Sequence, residues 1–414
     1  MYIRREASSL SFRTTSKRPH RWRWVGLLLA LIVGLAYFVY TQPQQISQAV
    51  LELAGRRPTP LPLPGVLVGQ AESAFRAGQL SQAISLYEQA LVQRPENVDF
   101  LYAYGQLLVD ANRPDEAIEV SRRILALNPG DVRGLALQAR GLAWQRQGAL
   151  AIPIAIAALA TDPSNAALLE ALSRAYLAED RWQDALDAGL RAVQADPDDV
   201  RARWAYANAL AAVGAGQRAI EQLERALALA PNFLPPYFEL AFLYLALDRD
   251  QEAIDLYDRI LSIEPRNARA LLRQCEAYRK IGEFQRALGL CQDAADADPS
   301  FVPAQFRLGQ LRYSRREFDV AQAAFERCLA ADPDNLNCQT MLGLTFYYLG
   351  RCDEARARLV SAQVQAQARG ISNTELISQG LLLLSGDPEC RGLAIMPPTS
   401  TPEATPEATP PSED

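Results

Sequence analysis

The sequence predicts an all-α protein: one transmembrane helix, followed by a right-handed α-solenoid of about nine helix hairpins. Proline residues that recur every 34 positions predict the solenoid, and an uncharged apolar stretch behind a basic segment predicts the membrane helix. Apolar residues make up 49% of the 414 residues and charged residues 22%, so most of the chain can bury a core.

Positive charge is concentrated in the first segment of the chain, residues 1–23. This segment contains seven arginine or lysine residues and one acid, whereas the whole chain has a net charge of −6. Residues 24–40 carry no charge, and a helix of this length, at about 1.5 Å per residue, can cross a thin hydrocarbon core. Because basic segments stay in the cytoplasm, we expect a single-pass protein of a bacterial inner (cytoplasmic) membrane, with the later residues outside the cell membrane.

Two other interpretations of residues 24–40 remain open. A cleaved signal peptide would need small residues soon after the apolar run, but that run ends in the bulky segment 37–40, which favours an uncleaved anchor. A cytoplasmic solenoid is the alternative topology. Residues 41–63 contain several prolines and are predicted to form an extended linker between the anchor and the solenoid.

A repeat of 34 residues organises the chain over residues 64–369. Prolines keep this spacing at Pro95, Pro129, Pro163, Pro197, Pro231, Pro265, Pro299 and Pro333. Alanines keep it at Ala83, Ala117, Ala151, Ala185, Ala219, Ala253, Ala287, Ala321 and Ala355. Small residues let two helices approach closely and proline ends a helix, so each repeat is predicted to be a helix hairpin. The predicted repeats begin near residues 64, 98, 132, 166, 200, 234, 268, 302 and 336.

These repeats resemble the tetratricopeptide repeat family. The ninth repeat shows the family pattern in Gly343, Phe346, Gly350 and Ala355. The sixth shows it in Leu240, Tyr244, Ala253, Tyr257, Ile260 and Pro265. The resemblance implies a protein-interaction scaffold in which the first helix of each repeat lines a concave groove.

Two further segments follow the repeats. Residues 370–390 are predicted to form a capping helix that shields the end of the solenoid, with its helical part at about residues 373–384. Residues 391–414 are rich in threonine, proline and glutamate, so they are predicted to be a disordered tail.

Residues suited to catalysis are missing from the predicted repeats. The only histidine, His20, lies in the basic first segment, so neither a Ser/His/Asp nor a Cys/His arrangement can form in the solenoid. We therefore expect no enzyme activity, no cofactor and no metal ion. Since the excess of basic charge lies outside the repeats, we also expect no nucleic-acid partner.

All six cysteines lie in the last third of the chain, and their positions suggest three pairs. In chain order they are Cys275, Cys291, Cys328, Cys338, Cys352 and Cys390. The first two lie at equal distances from the turn of one hairpin, and the next two flank a repeat proline symmetrically, which leaves the last two as a third pair. Three such pairs predict disulfides and fit an oxidising exterior, whereas the alternative is a set of buried free thiols.

Aromatic and arginine side chains, the usual anchors of protein interfaces, lie on the predicted groove. The candidate partner-binding residues are Tyr102, Arg133, Arg140, Arg174, Arg201, Trp204, Asn208, Phe238, Phe242, Arg269, Arg273, Phe306 and Arg307. Asn208, Arg269 and Arg273 match part of the pattern with which some members of the family hold a peptide carboxylate. Glu239 and Trp204 depart from that pattern.

A second candidate surface is the helix at residues 150–160, which is apolar on all sides. A surface helix of a solenoid should carry a polar stripe, so this helix is a candidate contact for a partner or for a second protomer in a homo-oligomer. The alternative is an alanine-rich helix whose outer side contacts nothing.

The expected function is that of a membrane-anchored scaffold that presents its groove on the extracytoplasmic side and recruits a protein or peptide partner to an envelope complex. Two other functions remain open. The arginines of the groove are compatible with binding of an anionic envelope polymer, and a solenoid without catalytic residues is compatible with a non-catalytic subunit of an envelope enzyme.

Overall fold

The computed structural model describes residues 62–372 and 374–390, and the residues from Pro64 to Cys390 belong to one compact unit. The predicted basic segment, membrane helix and tail lie outside these residues, as does nearly all of the linker. None of the helices in the described ranges combines the length and the apolar character that crossing a bilayer requires.

The described residues form nineteen α-helices and no strand. The helices of repeats one to three are α1 (Pro64–Arg76), α2 (Leu80–Gln93), α3 (Val98–Asp110), α4 (Pro114–Leu127), α5 (Val132–Trp144) and α6 (Gly148–Leu159). Those of repeats four to six are α7 (Ala166–Ala178), α8 (Trp182–Ala195), α9 (Val200–Ala212), α10 (Gly216–Leu229), α11 (Pro235–Ala246) and α12 (Asp250–Ile263). Those of repeats seven to nine are α13 (Ala268–Lys280), α14 (Phe284–Ala297), α15 (Val302–Ser314), α16 (Phe318–Ala331), α17 (Leu336–Tyr348) and α18 (Cys352–Ala368), and α19 (Glu375–Gly386) follows them.

Close contact between the two helices of each hairpin explains the alanine period. All nine of the repeating alanines on the second helices are 0% exposed. On the first helices, glycine allows the closest approach: a Cβ atom on Gly309 would lie 2.5 Å from the ring of Phe325. The prediction of one helix hairpin for every 34 residues is confirmed.

A second feature with the same period starts the first helix of most repeats. An asparagine or aspartate precedes the helix, and its side chain accepts a hydrogen bond from a backbone N–H of the first turn, which a free helix end would leave unpaired. These caps are Asn97, Asp131, Asn165, Asp199, Asn267 and Asn335. The sixth and eighth repeats have Phe233 and Phe301 at this position instead, and neither N-terminus has a side-chain cap.

The turn inside each hairpin contains one residue with a positive φ angle, in all nine repeats. Four of these residues are glycines, and the other five are Asn112, Arg146, Asp180, Asp248 and Arg316. Glycine adopts this conformation without steric cost, whereas other L-residues pay roughly 1–2 kcal/mol for it.

The glycine at the ninth turn therefore provides a direct test of the hairpin geometry. Gly350 has φ +73° and open space around it, so Gly350→Ala should cost about 1 kcal/mol of stability through backbone strain alone. Gly289 also has open space but lies inside α14, where Gly289→Ala should stabilise the chain by about 0.5–1 kcal/mol. Urea-unfolding midpoints of the two variants should shift in opposite directions; shifts in the same direction would contradict the assigned turn.

The solenoid coils back on itself, so that the first repeat meets the junction of the fifth and sixth. The Asn232 side-chain Nδ2 donates a hydrogen bond of 2.8 Å to the backbone oxygen of Arg76, across 156 positions of sequence. Beside it the ring centres of Phe75 and Phe233 lie 5.9 Å apart. We call this contact region the seam. Phe233, which stands where most repeats have a capping residue, thus contributes to long-range packing.

The last helix, α19, packs against α17 and α18. It is shorter than the predicted range 370–390 and ends before Cys390. Cys390 lies against Cys352 at the start of α18, with their Cα atoms 5.4 Å apart.

The other four cysteines also come together in the two pairs that the sequence suggests. The Cα atoms are 5.4 Å apart for Cys275 and Cys291, and 6.3 Å for Cys328 and Cys338. These separations lie within the range that disulfides require, which is about 4.4–6.8 Å. The geometry thus allows all three bonds, and their oxidation in the cell stays a prediction.

Candidate functional site

Charged side chains fill the inside of the coil in repeats two to five. Asp110 lies at the centre, with no exposed side-chain surface, and accepts a hydrogen bond of 2.6 Å from Arg140 of the next repeat. Its other oxygen accepts from Arg201, which is 91 residues further along the chain. Glu170 continues the group by pairing with Arg140 and Arg174. We call these five residues the buried charge network.

The electrostatics of Asp110 show that this network is held together in its ionised form. Burial alone would raise the pKa of the carboxyl group, but the guanidinium groups of Arg201 and Arg140 outweigh burial and hold the pKa below its ordinary value. The carboxylate therefore stays charged, and it ties the second repeat to both the third and the fifth.

Tryptophan rings close the space beside the network. The guanidinium of Arg174 lies 4.0 Å from the ring centre of Trp204 and 5.4 Å from that of Trp144. The two indole rings are 5.7 Å apart, and Trp204 also contacts Phe233 at the seam. Trp204 and Arg174 therefore pack inside the coil.

The buried charge network changes the role of several predicted groove residues. Arg140, Arg174 and Trp204 lie on the inner face, but they are only 3%, 8% and 3% exposed. Arg140 pairs with both acids of the network, and Arg174 packs on Trp204, so a partner cannot reach these side chains. The sequence could not show this, because the repeat pattern does not record how the inner side chains of neighbouring repeats pack together. Arg201 and Tyr102 are half-buried. Arg201 pairs with the central carboxylate of the network, and both residues line a small cavity of about 10 Å³ beside Arg140.

Two other predicted residues of the early repeats occupy less buried positions. Arg133 pairs with Asp131 at 2.8 Å and with Asp99 of the preceding repeat. Asn208 is half-buried on α9. Neither residue adds an exposed aromatic or an unpaired charge to the surface.

The remaining predicted residues lie on α11, α13 and α15, and three of them, Phe242, Arg269 and Arg273, are exposed. We call this surface the C-terminal concave face, and it consists of Phe238, Phe242, Arg269, Arg273, Phe306 and Arg307. Phe242 is 65% exposed, so its side chain is open to contact by a partner. Phe306 is half-buried, and Phe238 is buried beneath Arg269.

Charges on the C-terminal concave face largely neutralise one another. Glu276 pairs with Arg273 at 2.8 Å and with Arg307 at 3.1 Å. Glu239 lies close by with a raised pKa, because burial outweighs the attraction of the neighbouring arginines. Arg269 makes no ion pair with any residue that the structure describes, and its guanidinium lies 4.4 Å from the ring centre of Phe238. The face is therefore mixed in charge, and Arg269 is still available to pair with an acidic group of a partner.

Beyond Phe306 the concave face continues into a recess between α15, α17 and α19. This recess has a volume of about 240 Å³ and is lined by Thr340, Met341, Leu376 and other residues. Leu376 on the capping helix is 47% exposed. Sequence reasoning did not identify the recess, because the position of α19 against α17 is not encoded in the repeat.

The residues at the positions of the carboxylate-binding pattern differ in their exposure to solvent. Arg269 and Arg273 are exposed on α13, whereas Trp204, at the position of the first basic group, is buried beneath Arg174. Arg273 already pairs with Glu276, so of these two arginines Arg269 alone has no acid partner in the described residues, which agrees with the departures seen in the sequence.

The apolar helix at residues 150–160 corresponds to α6. Ala151 and Ala155 are fully buried against neighbouring helices, whereas Leu150 and Ile156 on the other side are 57% and 49% exposed. The helix thus has an inner and an outer face although it lacks charge. Its role in contacts between protomers stays a prediction.

Profiles of known families identify the repeat. A profile described as tetratricopeptide repeat matches residues 74–141 and 210–275. A second profile with the same description matches residues 137–200 and 306–357, and together the two cover more than half of the chain.

Several solved structures are similar to this chain over part of its length. The crystal structure of the APC/C hetero-tetramer Cut9–Hcn1 is similar with a TM-score of 0.52 and 17% identity, over 73% of this chain and 59% of that chain. The thermophilic TPR protein TTC0263 of Thermus thermophilus gives a TM-score of 0.40 and 24% identity, over 44% of this chain and 98% of that one. YrrB, a TPR protein with an unusual peptide-binding site, gives 0.38 and 20%, over 48% and 99%.

At these identities the likeness to solved structures concerns the fold alone, and this chain spans somewhat more than half of the Cut9–Hcn1 chain that it matches. No curated protein matches the sequence. The period of 34 residues, the nine helix hairpins and the two matching profiles lead to one conclusion. The chain belongs to the tetratricopeptide repeat family.

Proposed function

We propose that this protein is a non-catalytic scaffold that binds a protein or peptide partner on the C-terminal concave face. The observation that carries the proposal is the contrast along the inner surface. Repeats two to five fill that surface with the buried charge network, whereas α11, α13 and α15 leave Phe242 and Arg273 exposed. Exposed aromatic and arginine side chains side by side are typical anchors of protein interfaces.

A binder of anionic polymer is a weaker candidate. A polyanion would require a surface of unpaired positive charge. On the C-terminal concave face, however, Glu276 already pairs with Arg273 and Arg307, and Glu239 is a further acid. The mixed charge favours a partner with both apolar and polar groups, such as a folded protein surface or a peptide. A role as a non-catalytic subunit of an envelope enzyme is compatible with such a partner.

The proposal also includes a membrane anchor at residues 24–40 and an extracytoplasmic solenoid. Its support is the sequence: seven basic residues precede the apolar stretch, and the cysteines pair in a way that suits an oxidising exterior. Protease treatment of spheroplasts, whose cytoplasmic membrane is intact and accessible, tests this placement. Digestion of the repeats from outside agrees with it, whereas full protection until the membrane is opened indicates a cytoplasmic solenoid.

Affinity isolation from solubilised membranes tests the binding surface. We expect proteins enriched with the wild-type chain to be lost with the double variant Phe242→Ala/Arg273→Glu. Arg327→Glu on α16 is the matched control, because it reverses an exposed arginine on a second helix, away from the concave face. Equal recovery of the same proteins with both variants would contradict the proposed surface.

A further inference from the structure

A cavity of about 290 Å³ lies at the seam, between the turn of the first repeat and the junction of the fifth and sixth repeats. Its wall is mainly apolar, with Phe75 on one side and Phe233 and Phe238 on the other. The volume is close to the lower end of ordinary ligand pockets, which span roughly 300–1,000 Å³. Because both sides of the seam form the wall, the cavity exists only when the coil is closed.

Two side chains of this cavity keep hydrogen-bond donors available. Arg269 has no hydrogen bond or ion pair with any residue in the described ranges, so its guanidinium can bind an anion. Asn112 accepts a hydrogen bond of 2.8 Å from Trp144 through Oδ1, and this leaves its Nδ2 as a second donor. Both side chains line the cavity.

Two acids line the cavity, and a third lies close to Arg269. Asp110 is fully buried between two arginines of the charge network. Glu264 accepts a hydrogen bond of 2.7 Å from Asn267, and Glu239 acts on Arg269 without forming an ion pair with it. The guanidinium of Arg269 beside aromatic walls suits a ligand with an apolar body and an anionic end.

We propose that this cavity binds a small apolar molecule with one carboxylate or similar anionic group, the apolar part lying between Phe75, Phe233 and Phe238 and the anionic group on Arg269. Such a ligand contacts the first repeat and the sixth at once. It therefore stabilises the closed coil, since a ligand shifts an equilibrium toward the state that binds it.

Titration of the full-length chain with 3-phenylpropanoate, followed by ligand-observed NMR, tests the proposal. We expect a Kd of roughly 1 mM or tighter, and the neutral analogue 3-phenylpropanamide should bind about tenfold more weakly because it lacks the charge. A capped Phe-Glu dipeptide presents the same two groups. Tighter binding of the dipeptide would assign the cavity to a partner's side chains, and tighter binding of phenylpropanoate to a free molecule.

Three variants separate this site from its surroundings. Arg269→Gln should weaken binding of the carboxylate about tenfold and leave the amide unchanged. Arg273→Gln, one turn further along α13 and outside the cavity, is the matched control and should bind both compounds like the wild type. Ala111→Phe places a ring inside the cavity and should abolish binding of both compounds.

Three results would overturn the proposal. They are no binding of 3-phenylpropanoate to the wild type at several times the expected Kd, equal affinities in the two arginine variants, and unchanged binding in a folded Ala111→Phe chain. The comparison of the arginine variants does not depend on the folding of Ala111→Phe, which circular dichroism checks. Phe238 and Arg269 belong to both the cavity and the C-terminal concave face, but the test of the partner surface changes Phe242 and Arg273, which do not line the cavity, so the two proposals can fail separately.

Discussion

Replacement of Asp110 by asparagine should lower the free energy of unfolding by about 3–5 kcal/mol, the usual cost of breaking a buried ion pair from one side. The carboxylate has no exposed surface and binds both Arg140 and Arg201. An asparagine of the same shape carries no charge, so Arg201 loses its counter-ion and the buried Arg140 keeps only Glu170, at 3.6 Å. Urea unfolding of the full-length chain, followed by circular dichroism, measures the loss.

The control for this variant is a pair of the same chemistry at the surface. Glu116 binds Arg113 at 2.6 Å, but both side chains are well exposed, so Glu116→Gln should change stability by less than about 1 kcal/mol. A similarly small effect of Asp110→Asn would show that Asp110 is solvated and that the coil does not close around it.

Acid should reduce the difference between wild type and Asp110→Asn. The pKa of Asp110 is lower in the folded chain than its ordinary value of 3.8, so the unfolded chain takes up the proton first as the pH falls. The stability that this carboxylate contributes is therefore complete above about pH 5 and is lost as the pH falls through the lowered pKa. At neutral pH the difference between the two chains should be largest.

Reduction of the cysteine pairs should produce the second large effect. The pairs close loops of 16, 10 and 38 residues, and a disulfide across such a loop stabilises a chain by about 3–4 kcal/mol in the chain-entropy account. We expect a reductant to lower the melting temperature of the wild type. Peptide mass mapping without reduction should recover the three cross-linked pairs.

The matched control is the double variant Cys352→Ser/Cys390→Ser. These two residues tie the segment after α19 to the start of α18, so their replacement should weaken mainly the last repeat. The remaining response to reductant then belongs to the other two pairs. Wild-type protein that melts at the same temperature with and without reductant and yields no cross-linked peptides would show that the cysteines are free thiols, which would also remove one support for an extracytoplasmic location.

The local structure followed from the sequence because every repeat has the same physical requirements. A small residue such as Ala83 is needed where two helices touch, and Pro95 ends the second helix; both positions recur with the period. The two cysteine pairs within and between neighbouring hairpins could be predicted for the same reason, since the period fixes which residues lie at the same level.

The closure of the coil could not be predicted in this way. It depends on small rotations between neighbouring repeats, which add up over five repeats before Phe75 meets Phe233. The pattern within a single repeat does not indicate the total rotation over five repeats. Phe233 stands at a position that usually holds a capping asparagine or aspartate. This was the one sign of the closure in the sequence, and only the structure shows that the residue contacts Phe75. For this reason Arg140, Arg174 and Trp204 look like groove residues in the sequence and are buried in the fold.

The most direct test of the account is to ask which surface of the solenoid touches a partner in living cells. We would place the photoreactive residue para-benzoylphenylalanine at position 242, at position 306, and at position 327 on α16 as a control away from the concave face. The account predicts covalent adducts to the same protein from positions 242 and 306 and none from position 327. Adducts from position 327 alone, with the chain folded and positions 242 and 306 unreactive, would contradict it.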